Sequence, residues 1–356
     1  MREDLPERYR QSDGWLDEKG PDQHVVVSSR ARLARNLSRI PFATHAKQQE
    51  LDEVSQIVNR TIQNLPTISV FHLIDLHNVS ALERRYLKES HIISAEMEKG
   101  DVHRVVHVRP DYRISIMVNE EDHLRIQGLV SGFRLPDVFQ DILNIDMELM
   151  ETLPTAFSDQ YGYLTACPTN LGTGLRVSVM LHLPGLTLSR KIEDMVQMVQ
   201  PSGVTVRGFY GENSEYFGDF YQISNEISLG KTEEEIVDLL MSVIRIIIEQ
   251  EEKARETLFH DRAAPIEDTI WRAYGLLSQA RLMDTQEAMK LLSRIRLGVD
   301  RGYFKTLDHS RLSRLMIEIQ PAHLEYHKKC DPDTEARDTS RAALLRNIFT
   351  MPGSTN

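Results

Sequence analysis

Short apolar runs dominate the first half of the chain and predict strands at Val25–Ser28, Ile68–Leu76, Val102–Val108 and Tyr112–Val118. Helices are expected at Lys47–Gln63, Ser80–Ser90 and Leu135–Glu151. Only Arg109-Pro110-Asp111 separates the third and fourth runs, too short a link for a parallel crossover, so the two read as an antiparallel hairpin. That disfavours a doubly wound sheet. Further strands are expected at Leu175–Leu183, Val204–Phe209 and Asp219–Ile227, with a helix near Ser189–Val199 and Pro201 just beyond it. A long helix starts after Thr232. There Thr232 and Glu235 fit a capping box, and Ile236, Leu239, Leu240, Val243 and Ile247 recur at helical spacing. From about Pro265 to Phe349 only helical periodicity remains. The fold class expected is α/β of the α+β type up to residue 256, a boundary near 257–265, and an all-helical C-terminal domain over 257–350.

A length of 356 residues is enough for two such domains with a well-buried core. Hydrophobic residues at 41% and charged residues at 27% are the balance of a folded, water-soluble protein, not of a disordered chain. The longest apolar run, Val243–Ile248, is interrupted by Arg245, and none approaches the roughly 20 residues that span a bilayer, so no membrane association is expected. The charged start MREDLPERYRQSDGW lacks the apolar segment of a secretory signal. Two cysteines, Cys167 and Cys330, are too few for a disulfide framework, and a reducing cytoplasm is the expected location. A net charge of −11 argues against nucleic acid as a partner. Against that acidic background the chain carries 31 arginines and 11 lysines, and many of the arginines fall inside predicted strands.

Several familiar sites are excluded. No GxxxxGK[ST] loop occurs, and Gly172-Thr173-Gly174 is followed by Val177 where a dinucleotide fingerprint requires its third glycine. His323 and His327 have the spacing of a zinc pair, but the glutamate between them is Glu325, so they read as a solvated helix face. His103 and His107 alternate with valines and show no third ligand nearby, and no protein-bound metal is expected.

Four strings gather reactive groups: SSRARLAR at 28–35, NEEDHLRIQ at 119–127, CPTNLGTGLR at 167–176 and RGFYGENSE at 207–215. Each sets an arginine beside small or turn-forming residues, which lets a planar guanidinium approach a polyphosphate without obstruction. In this order the strings resemble the signature segments of the phosphagen (guanidino) kinases, and above all the bacterial protein-arginine kinases of the McsB type. The resemblance makes 1–22 an N-terminal extension and 23–256 the catalytic domain, with an antiparallel sheet flanked by helices. It implies that Ser28, Ser29, Arg30, Ala31, Arg32, His91, Arg125, Arg176 and Arg207 bind ATP, with Mg2+ held mainly by phosphates and water. Glu121 and Glu212 then stand as the catalytic carboxylates and Cys167 as a reactive thiol beside the acceptor.

The chemistry is consistent with those residue types. A guanidinium, with a pKa above about 12, is a poor nucleophile while protonated, so a carboxylate must orient it and accept a proton as phosphorus is attacked. Two carboxylates can grip two edges of one planar group and fix its attacking nitrogen in line. Small-metabolite members of the family carry a helical domain ahead of the SSRxR segment, where this chain has 27 residues, so a more open site for arginine within a protein is expected. The string RDTSRA at 337–342 resembles a phosphoarginine-binding regulatory element, with Arg337 and Arg341 on phosphate, Asp338 on a guanidinium and Ala342 closing the motif. Two departures stand out: GENSEYFGD around Glu212 brings in Asn213, Tyr216 and Phe217, and Met180 occupies a position commonly histidine in metabolite kinases. The resemblance further implies a homodimer or higher homo-oligomer, a metal-binding activator protein and a Clp-type protease as partners, in stress-linked quality control. The competing expectations are a small-guanidino kinase and a non-catalytic phosphoarginine-binding adaptor.

Overall fold

The strands assemble by antiparallel pairing into one eight-stranded sheet. A computed structural model describes residues 14–16, 18–100, 103–208 and 218–350. The strands are β1 (Val26–Arg35), β2 (His72–Asp75), β3 (Val105–Val108), β4 (Ile114–Val118), β5 (Leu124–Ser131), β6 (Phe157–Ser158), β7 (Gly162–Tyr163), β8 (Leu175–His182), β9 (Val204–Gly208) and β10 (Phe220–Asn225). The large sheet runs β2-β3-β4-β5-β1-β8-β10-β9, and β6 pairs with β7 in a separate small hairpin. The expected β3–β4 hairpin is present. Two corrections follow. β1 continues through the whole SSRARLAR string instead of ending at Ser28, and β5, absent from the sequence-based expectation, lies beside it at the middle of the sheet.

The helices are α1 (Gln48–Asn64), α2 (Ala81–Glu89), α3 (Ala95–Glu98), α4 (Leu135–Thr152), α5 (Pro184–Leu188), α6 (Ile192–Val199), α7 (Glu233–Gln279), α8 (Thr285–Asp300), α9 (His309–Glu318), α10 (Pro321–Lys328) and α11 (Thr334–Phe349). The Thr232–Glu235 capping box forms as expected at the start of α7, with Glu235 N donating to Thr232 Oγ1 at 3.2 Å and Thr232 N to Glu235 Oε2 at 2.8 Å. α7 runs past the expected boundary and kinks at Arg262, whose φ of −139° leaves the helical region shortly before Pro265. No helix among the described residues is long and apolar enough to cross a membrane.

Alternation divides the side chains of the sheet between two environments. One face, with Ala31, Leu33, Ile126, Val177, Val179 and Ile223, packs against the apolar stripes of α4 and α7 in the main core. Among the described residues, the opposite face is covered only at its ends. α2 lies over Val106, Val108 and Met117, while the C-terminal helices pack against Val27, Leu129 and Phe220. A register shift between Val26 and Ser28 resets the phase of β1, so that Val26 and Ala31 share the core side and Ser28, Arg30 and Arg32 turn to the half-open side. Arg255 of α7 ties the C-terminal helices to the sheet, pairing with Glu251 at 2.6 Å and Asp300 at 2.5 Å and donating to the carbonyl of His182 at 2.9 Å.

Candidate active site

The half-open face encloses a cavity of about 650 Å³, within the range of small-ligand pockets. Arg30 and Arg32 of β1, Arg125 of β5, Arg176 of β8 and Arg207 of β9 all line it, together with Ser28 and His91. Register explains the gathering. Arg32 is opposite Arg176 and Gln127, Arg30 is opposite Ser178, and Arg207 is opposite Gln222, so residues far apart in the chain stand on one face of four adjoining strands and the edge strand. The same alternation sends Ser29 and Ala31 away. Ser29 donates its hydroxyl to the carbonyl of Gly132 and accepts from the amide of Arg134, and Ala31 is in the main core. Neither lines the cavity, although the resemblance counts both among the ATP-binding residues.

Like charges at this density are uncomfortable without an anion. Burial, and then the charges of Arg125 and Arg176, bring Arg30 down to about 9. Arg32 is driven well below the ordinary arginine range by burial and by Arg30, Arg125 and Arg176. Arg30 spends hydrogen bonds on Ser178 and Gln222, but Arg32 Nε finds no hydrogen-bond partner among the described residues. Glu120 is the counterweight. Its burial opposes ionisation, yet its ion pair with Arg125 outweighs burial and holds the carboxyl at about 2. His91 is brought down to about 4 by burial, with Arg30 and Arg32 adding to the shift, so it is neutral at pH 7. The result is a cationic floor with an uncharged imidazole at one side, suited to a polyphosphate attached to a neutral ring.

Glu121 and Cys167 stand outside this cavity lining, on two loops fastened to each other. Asp122 Oδ1 accepts from the amide of Ala166 and from Asn36 Nδ2, each at 2.6 Å, so the residue after Glu121 is bonded to the residue before Cys167. Burial, followed by the charges of Asp122 and Glu120, pushes the Glu121 carboxyl up and makes it a stronger base than a free glutamate. Cys167 Sγ lies 3.0 Å from Thr169 Oγ1. The glycines of the adjoining string answer to close backbone contacts. Gly172 has a φ of +107°, and a Cβ there would come 2.8 Å from Leu229 Cα and from Ser228 O. Glu212 lies outside the described residues, in the segment that follows Arg207 and Gly208.

RDTSRA forms part of α11, where its two arginines have different surroundings. Arg341 is buried, with Nε on the carbonyl of Ile319 and Nη1 on the carbonyl of Met283 and on Asp338 Oδ1, each within 2.8 Å; Ala342 is buried beside it. Arg337 pairs with Glu325 at 3.2 Å, and Glu325 also pairs with Arg85 of α2 at 2.8 Å. His323 corrects the solvated-face expectation: it is buried, stacks on Tyr86 at 4.2 Å and lies 3.1 Å from Ser90 Oγ. Several cavity residues were not anticipated, namely Glu120, Gln127, Ser178, Gln222, Glu89, Ile317 and Gln320. Alternation from the arginines would have found Gln127 and Ser178 once β5 and β8 were phased. Ile317 of α9 and Gln320, between α9 and α10, carry no sequence signal of that placement.

Comparison with known proteins follows this geometry. Residues 53–254 match the family described as ATP:guanido phosphotransferase, C-terminal catalytic domain, and residues 263–356 match the protein-arginine kinase McsB C-terminal domain. The chain is 41% identical to a protein-arginine kinase of Pelotomaculum thermopropionicum over 94% of its own length and 95% of that protein. It is 40% identical to a protein-arginine kinase of Bacillus cereus over 93% of its length and 94% of the relative. Among solved structures, a lombricine kinase aligns with a TM-score of 0.59 at 26% identity, over 68% of this chain and 69% of that one.

Proposed function

The chain belongs to the ATP:guanido phosphotransferase family, among the protein-arginine kinases, and from that membership we propose that it transfers the γ-phosphoryl group of ATP to arginine side chains of proteins. The observation that carries the mechanism is the placement of five arginines on one sheet face beside the tethered loops of Glu121 and Cys167. ATP lays its phosphates on Arg30, Arg32, Arg125, Arg176 and Arg207, with the purine toward neutral His91. The arginines neutralise charge on the transferring group, the role such clamps fill in phosphoryl transfer. Mg2+ suits this site as a phosphate-held ion, because Glu120 is committed to Arg125.

Glu121, with its raised pKa, orients the acceptor guanidinium and takes its proton as the nitrogen attacks. Glu212 supplies the second carboxylate, and Cys167 flanks the acceptor without forming a covalent intermediate. RDTSRA acts in this reading as a regulatory phosphoarginine site. Asp338 then exchanges its bond with Arg341 for the ligand, and Asp338→Ala abolishes activation by phosphoarginine. The same reading extends to a cytoplasmic homo-oligomer working in quality control with a metal-binding activator and a Clp-type protease.

The test is to incubate the purified chain with Mg-ATP, an arginine-rich protein and free arginine, and to seek acid-labile phosphate by mass spectrometry under mild conditions. Label on protein is expected, with Glu121→Gln lowering kcat about 10²–10⁴-fold. Label on free arginine alone selects a small-guanidino kinase. No transfer by the unmodified chain selects a phosphoarginine-binding adaptor.

A further inference from the structure

The acceptor side of the site carries an apolar surface that the phosphoryl-transfer chemistry does not use. Three backbone segments lie side by side there. A Cβ on Gly162 would stand 2.5 Å from Gly172 O, and one on Gly172 would stand 2.8 Å from Leu229 Cα, so β7, the CPTNLGTG loop and the segment after β10 are in direct contact. Tyr163 N donates to Gly172 O at 2.7 Å, and Ser228 Oγ donates to the carbonyls of Leu171 at 2.8 Å and Thr169 at 3.2 Å. These bonds fix the turn that begins at Cys167. On this built platform four large apolar side chains face solvent: Phe157 at 56%, Tyr161 at 45%, Ile227 at 56% and Leu229 at 45% exposure. Apolar groups concentrated so near a reactive loop mark a contact surface more readily than scattered exposed residues do.

The charge around the platform has the opposite sign to the nucleotide cavity. Over 157–172 the only charged residue is Asp159, exposed at the hairpin tip between Phe157 and Tyr161. Exposed Glu226 adjoins Ile227, and Glu233, Glu234 and Glu235 follow, with Lys231 the single cation among them. An acceptor that presents arginine is cationic, so it is repelled by the floor of five arginines and attracted to this rim. An anionic nucleotide has the reverse preference.

We propose that the rim formed by Phe157, Tyr161, Ile227 and Leu229, with Asp159 and Glu226, is the docking surface for an extended polypeptide segment that carries apolar residues beside its target arginine. The inference rests on the protein-arginine kinase reading and adds the feature selected around the acceptor. Extended chain is the form that fits: it exposes apolar side chains that a folded protein hides, and it lets one arginine reach past Cys167 while its neighbours lie on the platform. Selection of unfolded over folded acceptors follows from the same geometry.

The test uses the full chain with Mg-ATP and two preparations of one arginine-containing protein, native and permanently unfolded by reduction and carboxymethylation. In the Phe157→Ser/Leu229→Ser variant the KM for the unfolded acceptor should rise about tenfold, with kcat and the KM for ATP unchanged. In the Asp159→Lys/Glu226→Lys variant a rise of similar size should shrink as salt is added. Wild-type KM in both variants overturns the docking surface and leaves the kinase reading standing. A change of oligomeric state by sedimentation without a change in acceptor KM overturns it in favour of a contact between two copies of this chain. Failure of the unmodified chain to label either protein preparation sinks both readings.

Discussion

Arg32 shows most sharply what the site costs the fold. It shares a half-open cavity face with Arg30, Arg125 and Arg176, and its Nε has no hydrogen-bond partner among the described residues. Buried like charges without matching anions oppose folding, and an apolar replacement of similar length removes that penalty. Arg32→Met should therefore stabilise the nucleotide-free protein, by about 1 kcal/mol since the group is only partly buried, in equilibrium denaturation while abolishing phosphoryl transfer. Added Mg-ATP should stabilise the unmodified protein more than the variant, because only the former gains a full set of partners for its charges. Residue identity was legible here and geometry was not. The strings containing Arg30, Arg125, Arg176 and Arg207 point to phosphate chemistry without structure, whereas Ser29 and Ala31, in the same string, belong to the other face.

Between elements, the junction of α2 and α10 is the most chemically loaded. Glu89, the last residue of α2, accepts the amides of Ala322 at 2.9 Å and His323 at 3.2 Å in the first turn of α10, and it also lines the five-arginine cavity. Burial raises its carboxyl from 4.5 to about 7, against the pull of those two amides. An acid raised on folding stabilises most below its unfolded pKa, and that contribution is lost as pH climbs from about 4.5 to 7. Glu89→Gln keeps an acceptor for the amides without the buried charge. Its stability should match the unmodified protein near pH 5 and exceed it above pH 7, by at most about 3 kcal/mol, in denaturant titrations at the two pH values. α2 was legible from its spacing and α10 only as part of a helical stretch, but the contact between them joins positions more than two hundred residues apart and leaves no local trace.

At the scale of the whole molecule, the C-terminal helices do more than add a second core. Ile317 and Gln320 line the five-arginine cavity together with Glu89 and His91, so its wall is shared between the sheet half of the chain and the helical half. Ile317→Ala should raise the KM for ATP several-fold with little change in the KM for a protein acceptor, measured by steady-state transfer, since the acceptor rim lies on other elements. The sequence by itself determined the local matters: strands and helices near their expected places, the capping box at Thr232, the chemical character of four strings, and membership in a family that handles guanidino groups. These depend on interactions within a few residues or on side-chain identity. Only the tertiary structure decided which residues of each string face the cavity, that β5 lies beside β1 at its centre, that Arg341 is buried, and that a C-terminal isoleucine completes a site in the other half. Those outcomes hang on the shift of phase in β1 and on register between distant strands, where one residue of slip would turn each side chain to the opposite face.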